Sequence, residues 1–388
     1  MRTFGSAGNS GFTAGVASWV HVHRFSRRGA LVAAGALLLV GAGPALDALP
    51  RTADAGGPAE LRRRILAGGA QPWVGLAEAT GRLALPELPA LESATALFSD
   101  VTRVRGFVAG PDRWRADTLT PVGERDVYRV DGREYVWDFG FDQLTELTGR
   151  PALRLPRAAD LLPPELGRRL LGLAPDAAVA PLPARRVAGR TAAGLRLTPD
   201  DPDTTVGRVD VWADPASALP LCVEVAARTG PDLPLLVSEL QEVDLRAPDD
   251  DALVPPRPPG SSRVSADGGD LGGALRRLDA APAPRRLAGR ARVALDGDEL
   301  RGVGVYGAGL SGFVLVPVSR GIAERVLAGA GAAGGTPVPI PRGRAVLVST
   351  PLLTLAARTG RSGAFLLVGT VGPPVLERAV GELSAVAS

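Results

Sequence analysis

Gly110-Pro-Asp-Arg-Trp-Arg-Ala-Asp-Thr-Leu119, followed by Gly123-Glu-Arg-Asp-Val-Tyr128 and Asp131-Gly-Arg-Glu-Tyr-Val-Trp137, decides the fold class of this chain. Apolar and charged positions alternate with a period of two. Trp114 and Ala116 share one face of the first segment, and Arg115 and Asp117 share the other. Tyr128 aligns with Val130, while Tyr135, Trp137 and Phe139 align against Glu134 and Asp138. This alternation belongs to strands with one wet face. A succession of such strands makes an antiparallel sheet. Asp131-Gly132 sits between two of them as a hairpin turn.

The same pattern continues outward. Val209 and Val211 oppose Arg208 and Asp210, and Leu221, Val223 and Val225 oppose Cys222, Glu224 and Arg228. Residues from Trp73 to Leu245 read mostly as strands, preceded by a short helix over Leu61–Ala67. One helix interrupts them. Asp160–Leu173 begins with an N-cap candidate and two prolines, and places Leu166, Leu170 and Leu173 on one face. The Pro-rich run Val254–Ser262, after the acids Asp249–Asp251, is the best internal boundary. It separates a sheet domain over 58–258 from a smaller α+β domain over 264–388. In the second domain, Val303–Tyr306 with Phe313–Val318, Ala345–Ser349 and Phe365–Thr370 read as strands. Ile322–Ala328 and Pro373–Val386 read as helices, the last with Leu376, Ala379, Val380 and Leu383 at helical spacing.

The chain of 388 residues has 45% apolar residues, enough for two packed cores. It contains no lysine, and its net charge is only +3. High Ala, Gly, Pro and Arg together look like a coding bias, so arginine carries little weight as a binding signal. No arginine cluster is interleaved with aromatics, which speaks against nucleic acid as a partner. Residues 1–28 read as a cytoplasmic tail or n-region, and 29–49 as a signal or transmembrane segment. Arg24, Arg27 and Arg28 precede an uncharged run of 18 residues from Gly29 to Leu46. That length fits a short membrane span or a signal sequence. Ala53-Asp54-Ala55 offers a cleavage site. The remainder is expected to lie at the cell membrane on the extracytoplasmic, periplasm side, or to be secreted if the signal is cleaved.

Several chemistries are missing. His21 and His23 both precede the apolar run, so the exported part has no histidine for a Ser-His-Asp site or for a metal. The single Cys222 cannot form an internal disulfide or a cysteine-based zinc site. Gly302-Val-Gly-Val-Tyr-Gly307 matches G-x-G-x-x-G by letter but sits within a strand-like segment, without the following helix that a dinucleotide site needs. Asp200, Asp201 and Asp203 suit a turn better than acid–base work. No catalytic residue, metal or cofactor is expected.

The strand and turn runs quoted above, with Arg157–Leu170, Val209-Asp-Val-Trp-Ala-Asp-Pro215 and Leu219-Pro-Leu221, resemble the sheet of LolA-like proteins. They resemble in particular the MucB/RseB-type sigma-E regulatory proteins of actinobacteria. Val305-Tyr-Gly-Ala-Gly-Leu310 and the closing Leu367-Val-Gly-Thr-Val resemble the small C-terminal domain of the same proteins. The resemblance covers about residues 60–388 and implies an α+β fold: a curved antiparallel half-barrel with covering helices over an apolar concavity. It further implies a sensor on the outer side of a membrane, with a lipid, lipoprotein or apolar peptide as ligand and the extracytoplasmic part of an anti-sigma factor as partner. A scaffold or a lipoprotein carrier without a signalling role is the alternative. The expected lining of the concavity is Trp114, Tyr128, Tyr135 and Trp137 from the sheet, with Leu166 and Leu170 from the helix.

Overall fold

A computed structural model of the chain describes residues 56–85, 92–120, 123–148, 154–267, 278, 280–294, 300–332, 334–361 and 363–385. The tail over 1–28 and the apolar segment over 29–49 lie outside these residues. Among the described residues, no helix is long and apolar enough to cross a membrane.

Twelve strands form the larger sheet: β1 (Trp73–Gly81), β2 (Val101–Gly110), β3 (Arg113–Thr120), β4 (Gly123–Val130), β5 (Arg133–Asp138), β6 (Gln143–Thr148), β7 (Ala178–Val187), β8 (Arg190–Thr198), β9 (Val206–Ala213), β10 (Pro220–Ala227), β11 (Pro234–Asp244) and β12 (Ser262–Asp267). Their order is β12-β6-β5-β4-β3-β2-β1-β11-β10-β9-β8-β7. The sheet is open, with β12 and β7 at its edges. All neighbours are antiparallel except β12 with β6. Two meanders share the centre: β1–β6 runs outward to one side, and β7–β11 runs inward from the opposite edge. The Asp131-Gly132 turn has φ of 52° and 73°, the doubly left-handed backbone that a two-residue hairpin requires.

This order forces two long crossings. The chain must pass from β6 near one edge to β7 at the other. It does so through a 3₁₀ turn (Ala158–Leu161) and helix α3 (Pro163–Leu173). Helix α1 (Pro58–Ala67) packs beside α3, and α2 (Glu92–Ser99) lies against β1 and β2. The chain must also pass from central β11 to the far edge at β12, through residues 245–261. A short 3₁₀ turn there (Asp250–Leu253) touches β3. The Pro-rich run is thus part of a strap, and the strand after it returns to the first sheet.

The smaller sheet is formed by β15 (Gly304–Ala308), β16 (Ser311–Pro317), β17 (Thr336–Pro337), β18 (Arg344–Ser349), β19 (Thr354–Gly360) and β20 (Gly363–Gly369), after a two-stranded hairpin of β13 (Arg286–Leu287) and β14 (Arg290–Ala291). Helix α4 (Arg320–Ala332) buries Val326 and Ala330 against Val346, Val348, Ala357 and Leu366. Helix α5 (Pro373–Ala385) buries Leu376, Ala379, Val380 and Leu383 against Tyr306, Phe313, Leu347 and Leu367. These partners alternate along β18 and β20, so the sheet carries one helix on each face. Gly302–Gly307 enters the β15–β16 hairpin, with strand following strand. The loop before β9 clasps this second part: the Thr204 hydroxyl donates to the Leu310 carbonyl at 2.5 Å, and the Thr205 hydroxyl to the Leu352 carbonyl at 2.6 Å.

Candidate functional site

The face of the large sheet beneath α3 is apolar across β1–β3 and β8–β11. It carries Trp73, Ala77 and Ala79 of β1, Val104 of β2, Ala116 of β3, Leu240 of β11, Val223 and Val225 of β10, Val209 and Val211 of β9, and Leu195 and Leu197 of β8, all buried in one cluster. The 3₁₀ turn and α3 cover it with Leu161, Leu162, Leu166 and Leu171, and α1 adds Leu61 and Ile65. Close approach depends on small residues. A Cβ on Gly167 would lie 3.1 Å from Pro220 and 3.3 Å from Val223, and a Cβ on Gly106 only 2.5 Å from the Trp73 ring, which lies across it. Two buried polar side chains here, Ser238 and Arg62, are matched. The Ser238 hydroxyl donates to the Leu161 carbonyl. Arg62 donates to the carbonyls of Leu171 and Ala177, both at 3.0 Å, and to that of Ala174, so it caps the end of α3.

The covering stripe differs from the expected one. Leu171 is fully buried, Leu170 is half-buried, and Leu173 is exposed. The 3₁₀ turn ahead of α3 adds Leu161 and Leu162 to the buried side and rotates the stripe toward Leu166 and Leu171. Trp114, Val108 and Leu170 stay half-buried at the border of the cluster.

The opposite face is built differently. On β3 and β4, Asp117 and Asp126 are cross-strand neighbours, and both side chains are fully buried. Arg115 bridges them, Nε to Asp117 at 2.5 Å and Nη2 to Asp126 at 3.0 Å. Its Nη1 reaches the Ala252 carbonyl of the strap at 3.4 Å. The Tyr128 hydroxyl donates to Asp126 at 3.1 Å, and the guanidinium lies 5.1 Å from the Tyr128 ring and 5.3 Å from the Phe107 ring. Burial, and then the charge of Asp117, push the Asp126 carboxyl up to about 7, and burial also raises Asp117. Glu124 completes a carboxylate trio whose oxygens lie within 4.8 Å of one another. The cation at their centre is Arg115 itself, so the trio reads as an internal ion network.

Further along the same face, Arg185 joins Glu224 at 2.7 Å and also Glu239, and lies 4.5 Å from the Trp212 ring. Cys222 is fully buried, and burial pushes its thiol well above the ordinary range, which leaves it without thiolate reactivity. The Asp201 carboxylate accepts the Asp203 N–H at 2.9 Å, a local turn, and Arg290 reaches Asp203 at 2.8 Å.

The six expected lining residues therefore do not share a concavity. Trp114 stands opposite Arg129 across β3–β4, whereas Arg115 stands opposite Tyr128. Tyr128 faces Tyr135, and Trp137 pairs with Asp126 on one side and Leu144 on the other. Tyr128, Tyr135 and Trp137 thus lie on the strap side. There Tyr128 and Trp137 are 1% exposed and form a small cluster with Leu144, Val130 and Tyr135. Only Trp114, Leu166 and Leu170 lie on the helix-covered side. The cause is register: alternation within each strand was readable, but a strand's phase against its neighbour is set by pairing, and one residue of slip exchanges the faces. Trp73, Leu161 and Leu171, which do fill the covered face, had no distinguishing signal beyond being apolar.

No protein-family model and no curated protein matches the sequence. Solved structures do show similarity. A complex of Pseudomonas aeruginosa MucA and MucB matches with a TM-score of 0.46 and 18% identity, over 84% of this chain and 97% of that chain. A crystal structure of MucB alone gives 0.44 and 18%, over 87% and 98%. A LolA superfamily protein from Nitrosomonas europaea gives 0.22 and 12%, over 51% and 98%. The likeness is one of fold alone.

Proposed function

We propose that this chain is an exported, membrane-associated protein that binds an apolar ligand and catalyses nothing. The ligand class is an acyl chain, as in a lipid or lipoprotein, or an apolar peptide. One observation carries the reading: Val108 and Trp114, cross-strand neighbours on β2 and β3, stay half-buried at the margin of the cluster under α3, as does Leu170 of the covering helix. An apolar chain laid along that border gains about 0.8 kcal/mol for each CH₂ it buries. Cover over this face comes from α3, the 3₁₀ turn before it and α1. By resemblance to MucB/RseB-type regulators, the partner is the extracytoplasmic part of an anti-sigma factor, and ligand binding reports envelope stress. A scaffold without ligand is the second reading, and the depth to which Trp73, Leu161 and Leu166 fill the covered face favours it.

Palmitate titration decides between them, with thermal unfolding and tryptophan emission as readouts and mass spectrometry to detect lipid carried through purification. A ligand site predicts a rise in melting temperature, a shift in emission, and about tenfold weaker binding in Trp114→Ala. No lipid and no thermal shift would leave the scaffold reading.

A further inference from the structure

Outside both faces of the large sheet, a cavity of 470 Å³ opens at one end of the smaller sheet, lined by Arg320, Arg342, Gly343, Arg344, Thr359, Gly360 and Arg361. Four guanidinium groups from three separate segments converge here. Arg320 is the first residue of α4, Arg342 precedes β18, Arg344 starts it, and Arg361 sits in the β19–β20 turn. Arg344 pairs with Glu324, and Arg320 donates to the Gly360 carbonyl at 3.3 Å. Arg342 and Arg361 are exposed and have no ion-pair partner among the described residues. Between residues 301 and 361 the sequence holds seven arginines (301, 320, 325, 342, 344, 358, 361) and a single acid, Glu324. The near-neutral balance of the whole chain hides this local excess.

Two further features point to a ligand. Arg358 is 1% exposed, its Nε bonds only the Ser384 hydroxyl at 3.2 Å, and its Nη1 has no acceptor. Its guanidinium abuts the cavity wall, with Nη2 at 3.1 Å from where a Gly360 Cβ would stand. Burial with no carboxylate beside it lowers the Arg358 pKa. A buried guanidinium with one N–H group left without an acceptor is costly, and this one lies directly behind Gly360 of the cavity lining. In addition, the loop is pressed onto β19 at Gly343, where φ is 114° and a Cβ would overlap the Thr359 carbonyl. Only glycine allows that approach, which brings Arg342 and Arg344 beside Thr359. The amino end of α4, where the Ser319 hydroxyl accepts the Ile322 N–H at 3.3 Å, adds its positive pole.

We infer that this arginine-lined cavity is a binding site for a phosphate-bearing anion. Forked guanidinium donors match phosphate oxygens in pairs, and an open cavity of this size admits more than one phosphate group. The site is independent of the apolar border and stands or falls without it.

The test uses the full chain and the double variant Arg342→Gln/Arg361→Gln, which removes two exposed, unpaired side chains and leaves the fold's own contacts in place. Arg125→Gln, an exposed arginine on the large sheet, is the control. Pyrophosphate binding is measured by calorimetry at low and high salt. Co-sedimentation is measured with phosphatidylglycerol vesicles against phosphatidylcholine vesicles. The site predicts salt-sensitive binding that falls about tenfold or more in the double variant and is unchanged in Arg125→Gln. Pyrophosphate binding without vesicle preference identifies a soluble phosphate ligand, and vesicle binding alone identifies a lipid headgroup. Absence of both, or equal binding by the double variant, overturns the inference.

Discussion

The two faces of the large sheet are made by different physics. The face under α3 is closed by apolar side chains from β1, β2, β3, β8, β9, β10 and β11 meeting Leu161, Leu166 and Leu171. The face under the strap is closed by arginine–carboxylate networks around Arg115 and Arg185, with one aromatic cluster at Tyr128 and Trp137. A non-directional apolar face can tolerate a foreign chain at its border, because any apolar atom serves as a partner. An ionic face cannot: each buried charge has one geometry that satisfies it, and displacing a partner leaves a desolvated ion. An apolar ligand of the large sheet, if it has one, belongs on the helix side by this difference, and the strap side serves the protein's own stability.

This contrast can be broken. Arg115→Ala has the largest expected effect, a loss of about 3–5 kcal/mol, because two buried carboxylates lose their shared counter-ion; chemical denaturation reads it. A loss under about 1 kcal/mol would mean that the strap side is solvated and the contrast is false. Next comes Leu171→Ala, expected to cost about 2–5 kcal/mol from a packed site. Leu170→Ala at the border should cost clearly less. Equal costs would mean that the border is as closed as the core.

The smallest effect concerns pH. Because the Asp126 carboxyl is raised to about 7 in the folded chain, the folded state holds a proton that the unfolded state releases near 4. The contribution of this group to stability is then fully present below about 4, declines as pH rises through the interval to about 7, and is lost above it. Asp126→Asn should flatten that slope in pH-dependent melting curves, while a variant on the helix face leaves it intact. An unchanged slope would place the titration elsewhere.

Much of the fold was legible for physical reasons. Strands with one wet face announce themselves by period two, as Trp114–Leu119 and Glu134–Phe139 do, and Asp131-Gly132 is one of the few compositions that suit two left-handed residues. The final helix followed from Leu376, Ala379, Val380 and Leu383. Less was legible where an element is short or buried on both sides. β19, with Ala356, Ala357 and Arg358 all buried, shows no alternation. The arginine cavity was invisible in a chain whose arginine content looks like coding bias, because its lining converges from residues 320, 342, 344 and 361 only in space.

The sequence by itself determined the class of the fold, since hydrophobic periodicity and turn chemistry are local properties. It also determined the absence of histidine after residue 23 and of any second cysteine. Tertiary structure alone decided which side chains share a face. Pairing register put Trp114 on one side of the sheet and Tyr128, Tyr135 and Trp137 on the other. Strand order then fixed what covers each: the passage from β6 to β7 lays a helix over one face, and the passage from β11 to β12 lays a strap over the other. Both are long-range relations between segments, which no single stretch of the chain encodes.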